Sequence, residues 1–256
     1  MDATPLRIYL TGRVCLEAGR VVAEERRFPS RQARLLFAYL VCQRMQPVPR
    51  EELAEVLWPG TLPAAWDPAL KSLVSKLRQF LGHLNAPSAS LSISSQFGCY
   101  QLHLPPPAWI DLESARHSAD EAAGALRSGD IRAAWGPTLV TLAIAQRPFL
   151  PGEEGEWIEG KRRELQDMLV SALDCYVEIC LRTAQAAQAA QMAIQAVSLE
   201  PFRETGYRQL MRVHAASGNR AEALRVYQRC QELLADQLGV DPSPETEALY
   251  LELLRG

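Results

Sequence analysis

The segment "GEWIEGK" (155–161) has the G-x-x-x-x-G-K spacing with which a backbone loop and a lysine cradle phosphates. Its chemistry fails at the next position. Arg162 stands where Ser or Thr would hold magnesium, no strand-like run precedes it, and Glu153, Glu154, Glu156 and Glu159 would repel phosphate. The segment reads instead as a loop entering the helix "EWIEGKRRELQDMLVSALDCYVEICL", with Trp157 and Ile158 as packing residues. The histidines His83, His103, His117 and His214 are far apart and none sits in an H-E-x-x-H arrangement, and there is no G-x-S-x-G elbow. The acidic pairs Glu51-Glu52 and Glu153-Glu154 lie among charged neighbours, whereas a catalytic carboxylate pair needs one member perturbed by burial. Six cysteines (Cys15, Cys42, Cys99, Cys175, Cys180, Cys230) form no C-x-x-C and have no histidine at metal-ligand spacing, so they read as small buried hydrophobes of a reducing compartment. Neither an enzyme nor a bound cofactor or metal is expected.

A second pattern suits recognition rather than catalysis. In "WDPALKSLVSKLRQFLG" (66–82), Leu70, Leu73, Val74, Leu77, Phe80 and Leu81 share one side of a helical wheel. Lys71, Ser72, Ser75, Arg78 and Gln79 share the opposite side, and Lys76 lies toward its edge. If that side lies in a major groove, Arg and Lys can donate to guanine and Gln can pair with adenine. Either Arg78 with Gln79 or Lys71 with Ser75 would meet base edges, and Lys76 would meet phosphate. Asp67 is the expected N-cap, with Pro68 at the first helical position, where its missing N–H costs nothing.

The surrounding elements determine whether such a helix can be presented. "LRIYL" (6–10) and "VCLEA" (14–18) read as strands separated by Gly12, with "RVVAE" after Gly19 as a third. "SRQARLLFAYLVCQRM" (30–45) has a helical apolar repeat with Ser30 as N-cap. "REELAEVLW" (50–58) is a short helix, acidic in its first turn and stopped at Pro59-Gly60. "LSISSQFGCYQLHL" (91–104) offers a β-hairpin around Gly98. Strands, three helices and a hairpin are the order of a winged helix-turn-helix. Arg31, Arg34 and Arg50 then stand near helix N-termini as candidate phosphate contacts, and Ser94 and Gln96 could reach the backbone or minor groove from the hairpin.

The prolines of "LHLPPPAWIDL" (102–112) can continue neither a helix nor a central strand, so the domain boundary is placed after residue 104. Residues 1–104 hold 12 Lys+Arg against 8 Asp+Glu, and residues 105–256 hold 15 against 22. A basic front and an acidic back suggest an anionic partner for the first part only. The back part is helical and self-similar. "GDIRAAWGPTLVTLA" (129–143) and "GNRAEALRVYQRCQELL" (218–234) each pair a Gly-polar turn with an Ala-rich amphipathic helix, and "QAAQMAIQAVSLEP" (188–201) is a weaker copy. About three such helix pairs and a closing helix, "SPETEALYLELLR" (243–255), predict tetratricopeptide-type stacking. Trp135, Trp157, Tyr176, Tyr207 and Tyr227 fall at helical spacing and read as core between helices. No run approaches the ~20 apolar residues of a membrane span, and the start "MDATPLRIYL" lacks a basic-then-apolar leader, so the expected location is cytoplasmic.

Several of these runs resemble one family: "LKSLVSKLRQFLG", the hairpin ending "GCYQL", "IDLESA", "GDIRAAW", and the closing "YRQLMRVHAASGNRAEALRVYQRCQELLADQLGVDPSPETEALY". Together they cover nearly the whole chain and resemble the SARP-type antibiotic-regulatory activators. In these an OmpR-like winged helix precedes a bacterial transcriptional activation domain (BTAD) of tetratricopeptide-like repeats. The resemblance implies a mainly α chain with a winged helix at 1–104 and an all-α repeat domain at 105–256. It also implies binding to double-stranded promoter repeats, self-association on DNA and recruitment of RNA polymerase subunits. Larger relatives append an ATPase and sensor domain, which this chain, ending at 256, is not expected to carry. The wing, reading Ser94-Ser95-Gln96-Phe97, lacks the arginine or threonine usual in relatives, and a lost cation removes a counterion-release contribution to affinity. An interaction scaffold whose winged helix no longer grips DNA is the alternative, and a nucleotide-dependent enzyme resting on "GEWIEGK" is the third reading.

Overall fold

The computed structural model describes residues 6–84 and 91–255. By its contacts the chain divides into two compact units, Met1–Ser114 with Arg147–Arg163, and Ala115–Gln146 with Glu164–Gly256. This division differs from the cut expected after residue 104.

The first unit opens with β1 (Leu6–Tyr9), β2 (Cys15–Ala18) and β3 (Val21–Glu24), a short antiparallel meander. Their inward residues, Ile8, Leu16 and Ala23, are buried. A turn of 3-10 helix at Glu25–Arg27 leads to α1 (Arg31–Cys42), where the Ser30 hydroxyl accepts from the Ala33 N–H at 3.1 Å, the expected cap. After β4 (Val48–Pro49) come α2 (Arg50–Leu57) and α3 (Trp66–Leu84). The three helices pack on one another through Leu36, Phe37, Leu40, Leu53, Leu70, Leu77 and Leu81, all at most 1% exposed. The hairpin β5 (Ser92–Gln96) and β6 (Cys99–His103) joins β4 in a three-stranded sheet, with Val48 opposite Tyr100.

The segment after the prolines departs from expectation. β7 (Ala108–Ile110) pairs in parallel with β1, Ile8 opposite Ile110, and completes a four-stranded sheet in the order β3-β2-β1-β7. The prolines, at 105–107, end before β7 begins, and β7 takes the edge of the sheet. α4 (Asp111–Ser128) follows at once. Its first residue is fully buried, and one Asp111 carboxylate oxygen accepts from the Leu10 N–H, the Thr11 N–H and the Thr11 hydroxyl, each at 2.8 Å. Burial pushes this carboxyl upward from its ordinary value, against the pull of those donors. Residues 147–163 also belong to this unit. Phe149 bridges to Thr11 and is wholly buried, and Trp157 packs edge-on against Tyr39 (4.9 Å between ring centroids) and Phe149 (5.7 Å). Trp157, half-buried, therefore packs in the first unit, not between the repeat helices as expected.

The second unit contains most of α4, α5 (Ile131–Ala145), α6 (Glu156–Arg182) from Glu164 onward, α7 (Ala186–Leu199), α8 (Glu204–Ala216), α9 (Arg220–Leu238) and α10 (Pro244–Arg255). Its architecture is the expected series of helix pairs with a closing helix. Small residues set the crossings. Ala189, Ala193 and Ala196 of α7 are buried, and a Cβ on Gly206 of α8 would stand 3.2 Å from Val197, so glycine permits the approach of these two helices. Tyr207 and Tyr227 are buried, Tyr227 stacks on Tyr250 at 3.9 Å, and Trp135 lies over Tyr176 at 5.4 Å while keeping a third of its surface exposed. The start of α10 is held by Glu204, whose carboxylate accepts from the Ser243 N–H (2.9 and 3.0 Å) and hydroxyl (2.8 Å).

Candidate nucleic-acid interface

α3 carries the candidate site, and its two faces separate as the period of its apolar residues dictates. Leu70, Leu73, Val74, Leu77, Leu81 and Leu84 are buried, while Lys71, Ser72, Ser75, Lys76, Arg78 and Gln79 are all exposed. The helix begins at Trp66, ahead of the expected start, so Asp67 lies inside the first turn and is not its cap. There its carboxylate accepts from Lys71 Nζ at 2.7 Å and Arg50 at 3.3 Å. Lys71, with Arg50 assisting, holds the Asp67 carboxyl below its ordinary value. Arg50 also pairs with Glu51 at 2.8 Å and lies 6.0 Å from the Trp66 ring.

Arg78 is oriented by the hairpin. Its Nε donates to the Ile93 carbonyl at 3.0 Å, and the residue is exposed. Lys76 makes no ion pair among the described residues. On the hairpin, the Ser94 hydroxyl hydrogen-bonds His103 Nε2 at 2.8 Å, and Gln96 is exposed at the strand end. Arg50 and Lys71 meet on Asp67, Arg78 lies on the same side of α3 at the base of the hairpin, and Lys76 stands at the opposite edge of the polar face.

Arg31 and Arg34 stand at the start of α1, and both are engaged by a carboxylate of the protein itself. Both converge on Glu153, whose side chain is 2% exposed. Arg34 Nη2 lies 2.5 Å from one carboxylate oxygen and Arg31 Nη2 2.9 Å from the other, while Arg34 Nη1 reaches Glu25 at 3.1 Å. A charge that neutralises a buried carboxylate is not available to a phosphate without exposing that carboxylate. Sequence reasoning missed this because the partner is remote along the chain, and the only signal was an acidic pair that reads as solvated.

"GEWIEGK" forms the entry and first turns of α6, with Ile158 buried. Arg162 donates to the backbone carbonyls of Phe149, Leu150 and Glu153, tying down that loop. Burial raises the Cys175 and Cys230 thiols to about 11, Cys175 further by the charges of Asp174 and Glu178 and Cys230 by that of Glu204, which keeps both in the unreactive thiol form. Among the described residues no group of His, Cys, Asp and Glu could hold a metal ion, and no helix is long and apolar enough to cross a membrane.

The model of the bacterial transcriptional activator domain family matches residues 110–254, more than half of the chain. The chain belongs to the bacterial transcriptional activator domain family. Among curated relatives it is similar to the regulatory protein AfsR of Streptomyces coelicolor (29% identity over 226 residues, 88% of this chain and 22% of AfsR). It is also similar to the transcriptional regulatory protein EmbR of Mycobacterium tuberculosis (29% identity over 226 residues, 87% of this chain and 57% of EmbR). The chain thus spans about a fifth of AfsR and somewhat over half of EmbR. The solved structure of M. tuberculosis EmbR in complex with a low-affinity phosphopeptide superposes with a TM-score of 0.85 at 24% identity, over 98% of this chain and 65% of that one. The shared fold is mainly α, with a small-sheet winged helix at the front and tetratricopeptide-like helix pairs behind. The SARP-type resemblance of the sequence agrees with this family.

Proposed function

We propose that the chain is a sequence-specific DNA-binding transcriptional activator. In this reading residues 1–104 carry the duplex contact, and residues 105–256 contact RNA polymerase subunits and support self-association on promoter repeats. The observation that carries it is the outer face of α3, where six polar side chains, three of them cationic, stand exposed opposite six buried apolar ones. A helix with that face, flanked by an arginine-bearing helix start and a hairpin, has the shape and charge of a major-groove reader. The family match and the regulator names of AfsR and EmbR support the same reading.

The duplex is the anionic partner, with Lys71, Lys76, Arg50 and Arg78 supplying counterion release. Base reading falls to Arg78 with Gln79 or to Lys71 with Ser75, and Ser72, Ser94 and Gln96 add neutral contacts. With one of these cations on a base edge, the three left for phosphate predict a loss of about 40-fold in affinity between roughly 50 and 200 mM salt. Fluorescence anisotropy of the full chain on a library of genomic fragments at these two salt levels tests the proposal. Absence of binding to every fragment at low salt refutes it.

A second reading, a protein-interaction scaffold whose winged helix no longer binds DNA, is favoured by one observation. Glu153 engages Arg31 and Arg34, and Asp67 engages Arg50 and Lys71, so acidic residues answer most candidate cations from within. Substituting Lys71 and Arg78 with alanine separates the readings, because loss of DNA binding with an unchanged melting profile is expected only of the activator.

A further inference from the structure

We propose that Phe97, at the tip of the hairpin, is a DNA contact in its own right, an apolar wedge for the minor groove beside the α3 site. The proposal rests on the DNA-binding reading. Gln96 and Cys99 pair across a two-residue turn whose members, Phe97 and Gly98, have φ of 50° and 78°. Turns with two left-handed residues favour Asn-Gly or Gly-Gly, because a Cβ crowds the backbone in that region. Phenylalanine is a poor residue for this turn. It also gains nothing from burial, since Phe97 is fully exposed at 102%. Neither the turn nor the core accounts for an aromatic ring held out here at a strained position, and such breaches of local preference concentrate at functional sites.

The surroundings select the partner. Residues 91–104 contain no acid. The Gly98 carbonyl accepts from the Arg50 N–H at 3.0 Å, and a Cβ on Gly98 would lie 4.0 Å from Arg50 Nε, so a cation flanks the tip. Arg78, bonded to the Ile93 carbonyl, ties the base of the hairpin to α3. A duplex whose major groove receives α3 therefore meets an uncharged, serine-rich hairpin with arginine beside its tip. The ring can then pack on deoxyribose or part a base step, as apolar wedges do in the minor groove. The exposed Leu238, Val240, Leu251 and Leu254 differ, because Asp236, Asp241, Glu245 and Glu252 lie among them in sequence and would repel a polyanion.

The test compares the full chain with Phe97→Asn, Phe97→Gly and Lys71→Ala, using fluorescence anisotropy on a bound genomic fragment at several salt concentrations and urea unfolding. Asn and Gly both suit the turn, so these variants are expected to be at least as stable as the parent. They are expected to bind about tenfold more weakly with an unchanged salt slope, because the lost contact is apolar. Lys71→Ala should lower the slope by about one. Parent-like affinity in both Phe97 variants overturns the wedge and leaves the DNA-binding reading standing. A reduced slope in those variants, or lost self-association with intact DNA affinity, also overturns it, and a parent chain that binds no DNA overturns both.

Discussion

Arg34 and Glu153 form an ion pair at 2.5 Å although they stand 119 positions apart, and the carboxylate is almost completely withdrawn from solvent. Arg31 closes on the other oxygen. Removing one partner of a buried pair leaves an uncompensated charge, which costs about 3–5 kcal/mol when no other partner remains. Because Arg31 stays in place, Arg34→Ala is expected to cost less than that range, about 2 kcal/mol. Urea unfolding of the variant measures it. Arg34→Ala and a solvent-facing change such as Arg20→Ala should differ clearly, and equal effects would mean that the pair contributes nothing.

The same loop sets a second expectation. Phe149 is fully buried and Trp157 rests on it, so Phe149→Ala should cost about 3–4 kcal/mol through lost transfer energy and the cavity left behind. A fragment of residues 1–104 lacks β7, Asp111, Phe149 and Trp157, and leaves the Leu10 and Thr11 N–H groups without their acceptor. It should melt without a cooperative transition in circular dichroism, whereas the full chain should show one.

The two parts of this fold were unequally legible. The two faces of α3 could be read because their information is local: a 3.6-residue period separates buried leucines from exposed Lys71, Ser75 and Arg78 whatever the rest of the chain does. Ser30 as a cap and the turn at Gly98 were local as well. What could not be read depends on remote partners. Ile110 finds Ile8 across 102 positions, and Asp111 finds Thr11. Arg34 looks like any surface arginine until Glu153 arrives. Asp67 has the residue type of a cap, but the helix extends to Trp66 and the carboxylate serves Lys71 and Arg50 instead.

Glu204 predicts a pH dependence. Burial pushes its carboxyl up, but hydrogen bonds from Thr246 and Ser243 and the charge of Arg208 outweigh that, so it titrates below its ordinary 4.5 in the folded chain. A lowered folded value means that the unfolded chain binds the proton first. The associated stability is present above pH 4.5 and is lost as pH falls through the lower folded value. Glu204→Gln should therefore flatten the fall in stability below pH 4.5 and cost about 1–2 kcal/mol at pH 7, where the charged acceptor of the Ser243 N–H is gone. Urea unfolding at pH 4 and pH 7 measures both. A variant as pH-sensitive as the parent would assign the acid response elsewhere.

Arg78 offers the sharpest test of the proposal that the α3 face reads DNA. Its Nε is occupied by the Ile93 carbonyl, so the plane of the guanidinium is set by the hairpin before any ligand arrives. A preset fork can donate two parallel hydrogen bonds to guanine, which a lysine ammonium cannot reproduce. Arg78→Lys preserves the charge, so the salt dependence of binding should stay within experimental error of the parent. The preference for the cognate site over a scrambled duplex should fall by about 2 kcal/mol, roughly thirtyfold, if Arg78 meets a base edge. Competition binding with both duplexes at one salt concentration gives that ratio directly. An unchanged ratio would move base reading to the other pair on the same face, Lys71 and Ser75, and reduce Arg78 to a hinge between hairpin and helix.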